Sequence, residues 1–109
     1  MSKLVRDLIP KQIRDSGKEC TVMTAPPLEF IKRLVDKLVE EAQEVRDSLS
    51  SVDEAQMLEE IADVSEVFDT LLIQLAIDRN QLRTAKARKN KKAGSFSKRY
   101  ILVDILEAE

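Results

Sequence analysis

Residues 28–75, LEFIKRLVDKLVEEAQEVRDSLSSVDEAQMLEEIADVSEVFDTLLIQL, decide the fold. Apolar side chains recur here with a helical period in two consecutive runs. The first comprises Ile31, Leu34, Val35, Leu38, Ala42, Val45 and Leu49. The second comprises Met57, Ile61, Val64, Phe68, Leu71, Leu72 and Leu75. Both runs read as amphipathic helices of a bundle. Residues 49–53 are too short a connection for anything but an antiparallel pair. Pro26 and Pro27 open the first helix, which runs to Ser48. Ser51-Val52-Asp53-Glu54 reads as a capping box for the second, which runs to Ile77.

Working outward, Asp7 to Ser16 is a short helix, with Asp7 as its cap and Gly17 as its stop. Residues 19–24, ECTVMT, suit a short extended segment. Asp78-Arg79-Asn80-Gln81 is a second box-like start, for a basic helix to Lys92 that Gly94-Ser95 ends. Tyr100, Ile101, Leu102, Val103 and Ile105 favour a final strand. The expectation is a mainly all-α fold: an antiparallel helical bundle with a short terminal β element, in one domain spanning 1–109.

Composition narrows the function classes. The chain has 109 residues, 43% hydrophobic and 35% charged, which suits a folded, water-soluble domain. It contains no histidine. That removes histidine general bases, Ser-His and Cys-His nucleophile pairs and His-zinc sites. A metal would have to accept oxygen ligands, which points to magnesium or manganese. The lone Cys20 suits a reducing compartment. The start, MSKLVRDLIP, lacks a signal-peptide apolar core, and no apolar run is long enough to span a bilayer. A soluble cytoplasmic protein with no membrane partner is expected. The net charge is only −2, but residues 40–69 are acidic around the single base Arg46, whereas residues 83–99 are basic without an acid.

Acids interrupt both apolar stripes. At about 100° per residue, Glu41 falls near Leu34 and Val45, and Glu44 lies about 60° further round. On the second helix Glu60 falls between Val64 and Val67, and Asp63 is again about 60° round. Glu40 and Glu59 point about 100° away from their neighbours. In an antiparallel hairpin centred on Val52, Glu44 stands level with Glu60, and Glu41 with Asp63. Four converging carboxylates repel one another unless protonated, paired or bound to cations. Lys37 and Arg46 are the only bases near them on these helices, so a divalent cation is the simpler remedy.

The pattern Glu40-Glu41-x-x-Glu44 followed by Glu60-x-x-Asp63 resembles that of the MazG-like, all-α nucleoside triphosphate pyrophosphohydrolases. Residues 3–10, KLVRDLIP, and 94–99, GSFSKR, resemble a house-cleaning branch related to phosphoribosyl-ATP pyrophosphohydrolase. The resemblance covers nearly the whole chain. It implies cleavage between the α and β phosphates of a nucleotide, with a house-cleaning role against noncanonical nucleotides and a homodimeric or larger assembly. It also implies that Glu41, Glu44, Glu60 and Asp63 hold Mg2+, or Mn2+, and carry the catalysis. Lys37, Lys3 and Arg6 are further candidates for contact with the nucleotide phosphates. Relatives tend to have Arg-Gly-Gly-Phe where this chain has Ala93-Gly94-Ser95-Phe96. Arg88, Lys89, Lys91 and Lys92 are the bases that can take the place of that arginine. The rival reading is a nucleic-acid-associated protein, or a non-catalytic helical interaction module, working through residues 83–99. The acidic majority, few aromatics and lack of a reader motif weigh against nucleic acid as a partner.

Overall fold

The computed structural model describes residues 2–51 and 53–107. Four helices follow in order: α1 (Ile9–Asp15), α2 (Pro27–Ser48), α3 (Glu54–Gln74) and α4 (Arg79–Ala93). The chain divides into two compact units, Met1–Ile77 and Asp78–Glu109. The first holds α1 and the α2–α3 hairpin; the second holds α4 and the C-terminal segment.

Long helices form where the sequence carries helical periodicity and no interior Gly or Pro. Pro27 occupies the first turn of α2, where its missing N–H costs nothing. The start of α3 departs from expectation. Asp53, not Ser51, is the cap: its side chain accepts from the N–H groups of Ala55 and Gln56 at 3.1 and 3.2 Å. Ser51 instead donates its hydroxyl to the Ser48 carbonyl at 2.9 Å, within the turn that ends α2. α3 also stops at Gln74, short of Ile77, before Ala76 takes a positive φ of 53°. α1 starts at Ile9 without a side-chain cap, so Asp7 does not serve as one. Gly17, with φ 89°, follows it in a conformation that favours glycine.

α2 packs along α3 to form the hairpin. The buried residues of α2 are Leu34, Glu41 and Ser48, spaced seven apart. That spacing returns to the same face every two turns, so the seam between the helices runs through a glutamate. Leu72 is the buried residue of α3. One partner helix covers only a narrow stripe of its neighbour. Val35, Leu49, Ile61, Phe68 and Leu75, expected inside, are consequently exposed.

In the second unit the capping box of α4 forms as expected. Asp78 accepts from the Asn80 N–H at 2.7 Å, and Gln81 reaches back to the Asp78 N–H at 2.9 Å. Gly94 ends the helix at φ 84°. The expected terminal strand is absent: residues 100–107 have no regular structure, and neither do residues 19–24. A strand persists only when a neighbour satisfies its backbone groups. No strand exists among the described residues to pair with either segment. Tyr100, Ile101, Leu102, Val103, Ile105 and Leu106 are left exposed. None of the described helices is long and apolar enough to cross a membrane.

Candidate metal centre

The hairpin brings together the four acids singled out by spacing. Glu41, Glu44, Glu60 and Asp63 each offer a carboxylate oxygen, and these oxygens all lie within 4.8 Å of one another. Two come from α2 and two from α3, one turn apart on each helix, so the cluster spans the seam.

Burial makes this arrangement costly. Glu41 is only 6% exposed. Its Oε1 lies 3.5 Å from Lys37 Nζ, but its Oε2 is enclosed without a hydrogen-bond partner. Glu60 Oε2, on the facing helix, is likewise enclosed without one. An unpaired buried carboxylate oxygen costs free energy that the fold must recover elsewhere. Burial pushes the Glu41 carboxyl above its usual value, and the neighbouring Glu44 adds to the shift. Glu44 is raised chiefly by its hydrogen-bonding contact with the Glu60 carboxyl, then by burial. Two carboxyl groups hydrogen-bond only when they share a proton. Fully ionised, the four carboxylates would repel one another, with Glu41 Oε2 and Glu60 Oε2 enclosed and unpartnered. The cluster therefore needs either protons or a cation.

The donor set fits a hard divalent cation. Magnesium holds oxygens at about 2.1 Å, which places opposite ligands about 4.2 Å apart. The spread of the four oxygens, within 4.8 Å, is close to that span. An all-carboxylate set favours magnesium or manganese over zinc or copper.

The remaining candidate residues divide. Lys37 reaches Glu40 at 3.6 Å and Glu41 at 3.5 Å, beside the cluster. Arg6 donates from Nη2 to Asp63 Oδ1 at 2.7 Å. This contact has no signature in the sequence, because residues 2–6 carry no periodicity and lie far from Asp63 along the chain. Lys3 is exposed in that same segment. Lys89, with Arg88, Lys91 and Lys92, is exposed on α4 in the second unit. Glu40 and Glu59 are exposed, as their helical phase requires. The concave surface lined by Arg14, Lys18 and Cys20 contains none of these residues.

The fold and site together define a helical hairpin with a four-carboxylate cluster across its seam. Comparison of the chain with family models, curated proteins and solved structures finds no match.

Proposed function

We propose that the chain is a divalent-metal-dependent nucleotide pyrophosphohydrolase of the MazG-like kind, cleaving between the α and β phosphates to release pyrophosphate. One observation carries the reading: Glu41 on α2 and Glu60 on α3 each enclose a carboxylate oxygen, Oε2, without a hydrogen-bond partner, and both belong to one four-carboxylate cluster. Such a site is poorly suited to a purely structural role, since apolar residues would pack there at lower cost. Glu41, Glu44, Glu60 and Asp63 hold the ion. When bound, magnesium neutralises phosphate oxygens and makes a water more acidic. The chain has no histidine, so a carboxylate of the cluster would be the nearest group able to accept a proton from an attacking water. Lys37, between Glu40 and Glu41, keeps a positive charge at the rim. Arg6, against Asp63, does the same on the α3 side.

The active species is a homo-oligomer in this reading. Leu34 and Leu72 are the only buried hydrophobic residues among those described, whereas Leu28, Val39, Leu58 and Ile73 are exposed on the hairpin. A core that small calls for further cover from another copy.

One preparation tests both statements. Incubated with magnesium and a panel of nucleotides, the purified chain is expected to release pyrophosphate as the first phosphate product. Light scattering of the same sample is expected to give a dimer or larger. Orthophosphate as the first product would place cleavage at the terminal phosphate and overturn the reaction assignment. An active monomer would overturn the assembly.

A further inference from the structure

Residues 2–6 form no helix, yet they are tied to both helices of the hairpin. The Ser2 carbonyl accepts from Arg33 Nη1 of α2 at 3.3 Å. Arg6 Nη2 donates to Asp63 Oδ1 of α3 at 2.7 Å. Between them, Leu4 and Val5 are half-buried, and Arg6 is held from behind by the turn in which its carbonyl accepts from the Ile9 N–H. The segment is a strap across the hairpin that delivers one guanidinium to the carboxylate cluster.

The Arg6–Asp63 pair has the properties of an exchangeable contact. It is monodentate, with one guanidinium nitrogen on one carboxylate oxygen, and the Arg6 side chain is 59% exposed. Exposed pairs of this kind contribute little and separate readily. A divalent cation among the four carboxylates would stand within a few ångströms of the guanidinium, and the two positive groups repel at that range. The guanidinium fork, in turn, matches phosphate oxygens better than a single carboxylate contact. We propose that Arg6 is the resident counter-ion of the cluster: a divalent cation displaces it from Asp63, and the displaced guanidinium then binds the phosphates of the nucleotide. This rests on the reading of the four carboxylates as a metal site.

Isothermal titration of the full chain tests the exchange without any turnover. Mn2+ is titrated alone, and imidodiphosphate, an inert pyrophosphate analogue, is then titrated into the Mn2+-loaded chain. Arg6→Gln removes a competitor of the metal and should tighten Mn2+ binding by about threefold, the scale of an exposed ion pair. The same variant should weaken imidodiphosphate by about tenfold, the scale of a charged hydrogen bond. A residue that merely orients Asp63 would weaken both. Lys18→Gln, which removes an exposed positive charge in the turn after α1, should leave both constants within about twofold, since screened surface charges act weakly at a distance. Unchanged or weaker Mn2+ binding in Arg6→Gln overturns the exchange, as does equal tightening in Lys18→Gln. Unchanged imidodiphosphate binding overturns the transfer to phosphate. A wild-type chain that binds no Mn2+ overturns the metal-site reading itself, and the exchange with it.

Discussion

Glu41→Gln and Glu60→Gln are each expected to lower kcat at saturating magnesium by more than about 100-fold, since even residues that only support a metal ligand cost 10- to 100-fold when lost. Glu59→Gln is expected to stay within a few-fold of wild type, and Glu40→Gln to fall between. The four substitutions are chemically identical and differ only in direction. Glu41 and Glu60 each bury an unpartnered carboxylate oxygen in the seam. Glu59, one residue from Glu60, is exposed. Glu40 is exposed too, but shares Lys37 with Glu41, which is why its loss should be felt. A neutral amide is a poor ligand for magnesium, and a side chain about 100° round the helix cannot supply the missing oxygen. Circular dichroism should show all four variants folded. If Glu59→Gln damaged turnover as much as Glu60→Gln, the assignment of faces would be wrong.

The second large effect is on stability, and its sign follows from the raised carboxyls. Glu41 is pushed up by burial and then by Glu44; Glu44 is pushed up by its contact with Glu60 and then by burial. A carboxyl whose folded value lies above its unfolded value binds more protons when folded. Its stabilising effect is complete at low pH and fades as pH climbs from near the unfolded value of 4.5 through the raised folded value. In EDTA, the Tm of the wild-type chain relative to Glu41→Gln should therefore fall as pH rises from 5 to 8. The comparison with Glu41→Gln cancels the ordinary carboxylates, which titrate in both proteins. Magnesium should reverse the trend, because its affinity grows as the ligands lose protons. At 100 times Kd, ligand binding contributes about 2.7 kcal/mol, or a Tm rise on the order of 10 °C for a chain of this size. That rise should be present at pH 8 and much reduced at pH 5 and in Glu41→Gln. Equal magnesium shifts at both pH values would contradict the proton–metal competition.

The helical hairpin and its acids were legible because both depend on short-range regularities. A fixed period places Glu41 and Glu44 on one edge of α2, and Glu60 and Asp63 on one edge of α3. A five-residue connection then leaves only one register for the pairs to face each other. Asp78 with Gln81 was legible for the same reason, since a capping box is settled within four residues. Ser51 and Asp53 competed for the neighbouring cap two residues apart, and spacing alone favoured the wrong one. Non-local features were hidden. Residues 100–105 have the composition of a strand, but composition does not supply a partner strand. The Arg6–Asp63 contact joins positions 57 residues apart through a segment without periodicity. Nor does periodicity reveal how deeply Glu41 is buried, which depends on where the helix axes settle against each other.

The central claim is that these four carboxylates form a divalent-cation site. Anomalous diffraction from crystals of the chain grown with Mn2+ tests it most directly. The expected result is a manganese peak in the seam between α2 and α3, within about 2.2 Å of oxygens from Glu41 and Glu60 and bounded by Glu44 and Asp63. A seam without manganese, its carboxyl groups hydrogen-bonded to one another through shared protons, would contradict it.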